Sequence, residues 1–299
     1  MTKRLSGMFA ALMTGLSDGG EFDPQRQRNI NGYVLRQGLA GLYVGGSSGE
    51  SGLLTRDELL AQQGVVAESA AGSAAALIAH VGMANLRDSI ALAHNAKRLG
   101  YHALSALPPH AYPFSDEEIY AYYRELAAAT DLPLIVYEIP LRTGRPLPLP
   151  LLVRLLELPN VAGIKFTSTD LFKYARLRRQ RPDQLYYYGF DEIYAAAAML
   201  GSDGGIGTTY NILGRLYVAI DQAVRASQVE RAQALQQVSQ DFVEALLDFG
   251  VLPGMKAAFR VIGVDCGPTR LPLDLGAPNA EAKMGAVLGR PEIKQWLAL

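Results

Sequence analysis

Two side chains that could carry out covalent chemistry, Lys165 and Tyr137, each lie near the end of a short apolar segment. Desolvation in the run VAGIKF at 161–166 disfavours the ammonium form of Lys165 and leaves more of the neutral amine, which attacks carbonyl carbons. Tyr137, in the run LIVYE at 134–138, could give or take a proton beside it. Taken singly, the lysine could extend to solvent and the tyrosine could be a core aromatic residue. If the two segments are adjacent strands about 5 Å apart, the pair indicates attack on a carbonyl with acid–base help.

Hydroxyl side chains in a glycine-rich turn could bind an anion. Ser47 and Ser48 lie in the sequence GGSSG at 45–49, where free backbone N–H groups can form a nest for a carboxylate or a phosphate. An ordinary glycine-rich connection between a strand and a helix would have the same composition. The turn is therefore a candidate anion site whose role the spacing alone leaves open.

Charged side chains at two further places are candidates for substrate recognition. Asp191 and Glu192 follow the apolar segment 186–188, and they could accept hydrogen bonds from a polyhydroxylated ligand or simply stabilise the positive end of a helix. Arg142, in the sequence LRTG, has the planar fork that binds a carboxylate through two hydrogen bonds, which hints at an aldehyde partner with its own acid group. The alternative is a surface arginine that pairs with Glu138 or with a loop carboxylate.

The composition excludes several classes of protein and site. The chain has 299 residues, is 49% hydrophobic, and carries 28 basic against 29 acidic side chains, so it should fold, and it lacks the positive charge that nucleic acid or an anionic membrane would attract. Its one cysteine, Cys266, cannot form an internal disulfide, which fits the cytoplasm. The four histidines have no ligand spacing and the HExxH motif is absent, so no metal is expected. The apolar run 7–16 is too short to span a membrane.

The candidate residues can act together only in a fold that brings the ends of the strands together. Short apolar runs alternate with amphipathic stretches along the chain, and this alternation is typical of such a fold. Eight strands are predicted, at 7–14, 39–45, 75–81, 103–107, 134–138, 161–166, 186–188 and 204–206. The helices predicted between them include 24–37, 149–157, 171–179 and 193–200. Capping boxes at Thr55 and Ser115 mark the starts of two more.

This alternation predicts an α/β protein with a parallel sheet, closed into a (β/α)8 TIM barrel. An open doubly wound sheet is the alternative, although no G-x-G-x-x-G follows the first strand and no GxxxxGK[ST] occurs. In such barrels the loops after the strands carry the chemistry. Beyond residue 227 only helices are predicted, at 229–249, 254–262 and 280–297. We therefore expect a catalytic barrel over 1–227 and a C-terminal helical region over 228–299 packed on it.

Four motifs together resemble a known family. They are GSSGE at 46–50, YxxP at 137–140, GIK at 163–165 and GGIGTTYN at 204–211. The sequence resembles the pyruvate-dependent class I aldolases of the dihydrodipicolinate synthase and N-acetylneuraminate lyase family, over nearly the whole chain. The resemblance implies a TIM barrel, usually assembled as a homotetramer.

The resemblance also implies a role for each candidate residue. It implies that Lys165 forms a Schiff base and that Tyr137 is the acid–base group, with no metal and no cofactor other than that covalent Schiff base. Ser47 and Ser48 are expected to bind the carboxylate of the 2-oxo acid. Further positions match those that hold sugar hydroxyls, or lie beside them, in the family's sialic acid enzymes: Thr167, Gly189, Asp191, Glu192, Gly207 and Thr208.

The expected partners are therefore a small 2-oxo acid and an aldehyde or sugar. Cleavage of N-acetylneuraminate to N-acetylmannosamine and pyruvate is expected first, and another 2-oxo-3-deoxy sugar-acid aldolase or dehydratase second. The Arg-Thr-Gly sequence that contains Arg142 resembles that of the dihydrodipicolinate synthases instead. This activity is expected third, because the two neighbouring carboxylates of Asp191 and Glu192 would repel an acidic aldehyde. A barrel that only binds sugar acids is the alternative outside enzymes, and the presence of both Lys165 and Tyr137 argues against it.

A further departure from the family pattern lies in the loop after the fourth strand. Ala111 stands where many relatives have a tyrosine that reaches into the site of a neighbouring subunit. His110 and Tyr112 are the candidate replacements, and the sequence does not choose between them.

Overall fold

Eight parallel strands form a closed barrel in the order of the chain, with β1 paired to β2 on one side and to β8 on the other. The structure, a computed structural model, describes residues 5–273 and 278–299. The strands are β1 (Gly7–Ala11), β2 (Gly41–Val44), β3 (Ala76–His80), β4 (Ala103–Ala106), β5 (Leu134–Glu138), β6 (Val161–Phe166), β7 (Leu185–Tyr188) and β8 (Gly204–Gly207). The predicted TIM barrel is thereby confirmed.

The strands are apolar on both faces because the barrel interior and the surrounding helices each bury one face. β1 is shorter than its predicted span of 7–14. The chain leaves the sheet after Ala11, and the Met13 N–H then donates to the side chain of Asn211 instead of to a neighbouring strand. The buried Thr14 hydroxyl donates to the carbonyl of Gly49, which ties this segment to the loop after β2.

Helices surround the barrel, and several begin where the sequence predicts. Both capping boxes are present, at Thr55 and at Ser115. The helices up to residue 225 are α1 (Pro24–Leu35), α2 (Arg56–Ala70), α3 (Leu86–Arg98), α4 (Asp116–Ala128), α5 (Pro140–Thr143), α6 (Leu149–Leu156), α7 (Leu171–Gln180), α8 (Tyr194–Met199) and α9 (Tyr210–Arg225). Two of them, α5 and α9, are not among the predicted helices.

The C-terminal region consists of helices in its described part. They are α10 (Val229–Leu247), α11 (Val251–Val261), α12 (Ala280–Leu288) and α13 (Pro291–Lys294). Helix α10 packs against α8, α9 and the turn that begins at Asp191. The region therefore lies against the end of the barrel where β7 and β8 finish. Among the helices described, none is long and apolar enough to cross a membrane.

Candidate active site

Lys165 and Tyr137 lie side by side at the carboxyl ends of β6 and β5. The two residues are register partners in the parallel pair of strands, as the sequence predicts for adjacent strands. The Lys165 ammonium nitrogen lies 4.0 Å from the centre of the Tyr137 ring. Both side chains are buried, with 3% of each exposed. A carbonyl compound bound to this amine would therefore lie within reach of the tyrosine.

Two further aromatic side chains enclose the amine, and sequence reasoning missed both. The ring of Tyr43 lies 4.4 Å from Lys165 Nζ, and its hydroxyl donates to Ser105 Oγ at 3.0 Å. The His80 ring is 6.0 Å from the rings of both Tyr43 and Tyr137. Burial, with a smaller contribution from the charge of Lys165, lowers the pKa of His80 to about 3, so this ring is neutral. Its Nδ1 is 2.9 Å from the carbonyl of Gly45, which selects the tautomer that donates there.

The serine-containing turn closes one side of the site. After β2 the chain forms a single 3-10 turn over Ser47–Gly49. The Ser48 hydroxyl lies 2.6 Å from that of Thr208, which follows β8, so two predicted binding residues from opposite parts of the chain are joined directly. Ser47 and Ser48 both line the same cavity as Lys165.

This cavity of about 330 Å³ brings together all but one of the predicted site residues. The predicted residues in its wall are Ser47, Ser48, Tyr137, Arg142, Lys165, Thr167, Gly189, Asp191, Glu192 and Thr208. The exception is Gly207, which borders Asp191: a Cβ at this position would overlap the Asp191 carboxylate. The opposite wall is apolar and comes from the C-terminal region: Val243, Leu246, Leu247, Val251 and Leu252.

Asp191 is buried and held from one side only. Its Oδ2 accepts hydrogen bonds from the Thr209 N–H at 2.8 Å and from the Thr209 hydroxyl at 2.6 Å. Its Oδ1 has no hydrogen-bond partner in the described part of the chain. Burial raises the pKa of Asp191 to about 7, an effect that outweighs the hydrogen bonds from Thr209. The carboxylate makes no cap hydrogen bond to the turn that it begins, and its backbone donor is Thr209, at the start of α9.

The wall between β6 and β7 has room only for glycine at residue 189. A Cβ at Gly189 would overlap the hydroxyl of Thr167. Thr167 Oγ1 is buried and has no hydrogen-bond partner among the residues described. Because Thr167 lines the cavity, this hydroxyl is a candidate contact for a ligand there. Glu192 is half-buried and forms part of the same wall.

Arg142 lies on α5, above the cavity, and is exposed. The expected alternative, a pair with Glu138, is wrong. Glu138 is fully buried, and its Oε1 accepts from Lys173 Nζ at 3.2 Å and from the Leu147 N–H at 3.0 Å. Within the described ranges no carboxylate forms an ion pair with Arg142, which lines both this cavity and a neighbouring one of about 460 Å³.

The neighbouring cavity also distinguishes between His110 and Tyr112, the two candidate replacements for the tyrosine that is absent at Ala111. His110 lines it, together with Ser47 and Arg142. Tyr112 does not line it, and 73% of its side chain is exposed. Of the two, only His110 therefore borders a space continuous with the site residues.

A buried ionic cluster beneath the serine turn was also missed. Glu50 has a φ of 60°, and its Oε2 accepts from the backbone N–H of Arg270 at 2.7 Å. The ammonium of Lys256 lies 3.9 Å from Glu50 Oε1 and donates to the carbonyls of Thr14 and Cys266. Burial lowers the pKa of Lys256. In sequence Lys256 looks like any lysine of an amphipathic helix, and only the tertiary fold pairs it with Glu50.

The described residues contain no group of three or more histidine, cysteine, aspartate or glutamate side chains that could hold a metal ion. The chemistry available from the cavity is that of an amine, a tyrosine hydroxyl and hydrogen-bonding groups. This set suits covalent attack on a carbonyl followed by proton transfer.

Comparison with known proteins gives consistent similarities. Residues 4–289 match the model of the dihydrodipicolinate synthetase family. The N-acetylneuraminate lyase of Rhizobium meliloti is 43% identical over 269 residues, which cover 90% of this chain and 89% of that protein. CdNal of Clostridium difficile, solved in complex with mannosamine, superposes with a TM-score of 0.93 at 30% identity over 98% of this chain and 99% of that one. The Fusobacterium nucleatum N-acetylneuraminate lyase complexed with pyruvate gives a TM-score of 0.90 at 32% identity over 98% of both chains.

Proposed function

Since the chain belongs to the dihydrodipicolinate synthetase family, we propose that it cleaves N-acetylneuraminate to N-acetylmannosamine and pyruvate through a Schiff base on Lys165. The enzyme is a carbon–carbon lyase, a pyruvate-dependent aldolase. The observation that carries the proposal is the register pairing of Lys165 with Tyr137 in the wall of a cavity that also contains Ser47 and Ser48.

The proposed reaction begins at the 2-oxo group of the sugar acid. The neutral amine of Lys165 adds to C2, water leaves, and an iminium ion forms. Tyr137 gives its proton to the departing water and then takes the proton of the C4 hydroxyl. The C3–C4 bond breaks, and the electron pair of that bond enters the iminium to form an enamine while C4 becomes the aldehyde carbonyl. Protonation of the enamine at C3 and hydrolysis then release pyruvate and restore the amine.

The remaining side chains are proposed to orient the two halves of the substrate. Ser47 and Ser48 bind the carboxylate of the 2-oxo acid, which fixes the approach of C2 to Lys165. The sugar hydroxyls bind on the other side, where Asp191 and Thr167 have oxygens without protein partners in the described part of the chain. Glu192, Thr208, Gly189 and Gly207 complete this side.

The proposal predicts that Lys165→Ala abolishes cleavage of N-acetylneuraminate and leaves the fold intact, because the amine is the nucleophile. Release of pyruvate measures the activity, and thermal unfolding reports the fold. Lys97→Ala, which removes an exposed lysine paired with Asp131, is the matched control and keeps full activity. Turnover by Lys165→Ala equal to that of the wild type would contradict the proposal.

A second candidate, a synthase that takes an acidic aldehyde, is favoured by one observation. Arg142 faces both cavities and forms no ion pair with a described carboxylate. Wild type and Arg142→Leu are therefore compared with acidic and neutral aldehydes. A loss confined to acidic aldehydes would support the second candidate, whereas an unchanged preference would leave N-acetylmannosamine or another neutral sugar as the partner.

The organisation of the protein is proposed on the same basis. We propose a homotetramer that acts in the cytoplasm with small molecules as its partners, and a division of the chain into a catalytic barrel over 1–227 and a packed helical region over 228–299. The apolar cavity wall supplied by α10 and α11 supports a role for the second region in the site.

A further inference from the structure

A chain of buried hydrogen bonds runs from Asp191 into the C-terminal region. Asp191 Oδ2 is bonded to the hydroxyl of Thr209, and that hydroxyl is 2.6 Å from the hydroxyl of Tyr217 on α9. The Tyr217 hydroxyl is 2.7 Å from Ser239 Oγ on α10, which accepts from Gln236 Nε2 at 3.1 Å. All five side chains are buried, and none of the last three lines the cavity.

When Asp191 is ionised, one arrangement of protons satisfies every hydrogen bond of the chain. A carboxylate accepts but cannot donate, so the hydroxyl proton of Thr209 points to Asp191. The Tyr217 proton then points to Thr209, and the Ser239 proton points to Tyr217. The amide of Gln236 begins the series. Every hydroxyl in this arrangement both donates and accepts, so the chain holds Oδ2 of the carboxylate without leaving any of its own hydroxyls unpaired.

Gln236 is itself held at both ends. Its Oε1 accepts from the Ala195 N–H at 2.8 Å, and its Nε2 also donates to the carbonyl of Asp191 at 3.0 Å. The carbonyl of Asp191 is therefore bonded directly to α10. Its carboxylate is connected to α10 through Thr209 and Tyr217. No residue of the described ranges bonds to Oδ1, a buried oxygen of a residue that lines the cavity.

We infer that Tyr217, Ser239 and Gln236 are positioning residues that act through Thr209 to hold the Asp191 carboxylate for a hydroxyl of the aldehyde. Helix α10 then controls which aldehydes the enzyme accepts, although its polar residues never touch the substrate. The inference rests on the proposed function. It predicts that damage to the hydrogen-bond chain weakens binding of the sugar aldehyde and spares pyruvate, because pyruvate binds at Lys165 and the serine turn.

Tyr217→Phe tests the inference, since it removes one oxygen from the middle of the chain and preserves the ring. In the condensation direction the KM for N-acetylmannosamine is expected to rise about five- to tenfold, the loss expected for one buried hydrogen bond. The KM for pyruvate and the yield of borohydride-trapped pyruvate on Lys165 are expected to stay unchanged. Ser239→Ala breaks the same chain one step further out and provides a second test if Tyr217→Phe does not fold.

Tyr210→Phe is the matched control. Tyr210 lies on the same helix, its ring centre is 4.1 Å from that of Tyr217, and it is equally buried. Its hydroxyl has no hydrogen-bond partner among the described residues, so its removal is expected to change neither KM.

The possible outcomes distinguish a failure of this inference from a failure of the proposed aldolase function. An unchanged KM for N-acetylmannosamine in both folded variants, or an equal rise for both substrates, would overturn the inference while pyruvate trapping by the wild type upholds the proposed function. A wild type that neither traps pyruvate nor condenses it would overturn both.

Discussion

At the scale of single residues, the Lys165 amine lies against aromatic rings, and the carboxylates of Asp191 and Glu192 stand at the proposed sugar side of the cavity. Tyr43 and Tyr137 present ring faces to the ammonium nitrogen, and the neutral His80 packs beside them. Ring faces at this distance attract an ammonium group. Within the described ranges no carboxylate forms an ion pair with Lys165, so the amine can bond to a carbonyl carbon without first breaking a salt bridge.

The carboxyl of Asp191 has a pKa close to neutral pH. Burial is the main cause of the rise of this pKa to about 7, and the charge of Glu192 adds to the rise, whereas the hydrogen bonds from Thr209 and the charge of Lys165 oppose it. Tyr210 and Tyr217 on α9 also lie within electrostatic range of Asp191, and both are neutral because burial raises their pKa. The carboxyl is therefore protonated below about pH 7 and ionised above it.

The KM for the sugar aldehyde is expected to fall as the pH rises through about 7, because the ionised Asp191 is the better acceptor for a sugar hydroxyl. The pH profile of the KM for N-acetylmannosamine, measured in the condensation direction, checks this. Asp191→Asn cannot titrate and is the control: its KM is expected to be about tenfold higher at pH 8, with no inflection near 7. The same inflection in Asp191→Asn would assign the titration to another group.

At the scale of elements, the serine turn depends on ions buried beneath it. Lys256 on α11 and the backbone of Arg270 both approach Glu50, which directly follows the turn. The same ammonium bonds the carbonyl of Thr14, just beyond β1. This cluster fixes the loops after β1 and β2 relative to each other.

Lys256→Met is expected to destabilise the protein by about 3 kcal/mol, because it leaves the buried Glu50 carboxylate without the nearby ammonium. The KM for pyruvate should also rise, since the turn that carries Ser47 and Ser48 loses its support. Urea unfolding and condensation kinetics measure the two effects. Lys97→Met, at an exposed ion pair, should cost no more than about 1 kcal/mol. Equal losses in the two variants would refute a special role for Lys256.

Much of the element order could be predicted because it depends on local pattern. Alternating apolar runs predicted eight strands, and the two capping boxes predicted the starts of α2 and α4. Helix α9 was missed: it follows a glycine-rich strand at once, and its backbone departs from helical angles at Leu213. Tyr43 and His80 were missed because they approach Lys165 and Tyr137 from strands far away in sequence. Lys165, Tyr137 and the serine turn stood out because they are polar groups in apolar or glycine-rich surroundings.

At the scale of the whole molecule, the C-terminal region takes part in the site. It supplies an apolar wall to the cavity, and Gln236 and Ser239 extend the hydrogen bonds of Asp191. The sequence predicted that the region packs on the barrel, but local patterns could not show which end it covers. The barrel and the C-terminal region therefore form one site together, and neither part contains all of its residues.

The proposed tetramer predicts a particle of four chains of 32.3 kDa each. Large apolar side chains such as Tyr112 and Phe172, with 73% and 74% exposed, are of the kind that subunit contacts cover. Sedimentation equilibrium over a dilution series measures the mass. A monomer at every concentration would rule the tetramer out, without bearing on the chemistry of Lys165.

The most direct test of the account is reduction with borohydride in the presence of pyruvate, followed by peptide mass mapping, with Lys165→Ala as the control. We expect a single reduced pyruvate adduct, on the peptide that contains Lys165, and no adduct in Lys165→Ala. A folded wild-type protein that forms no adduct, or an adduct on another lysine that persists in Lys165→Ala, would contradict the proposed Schiff base.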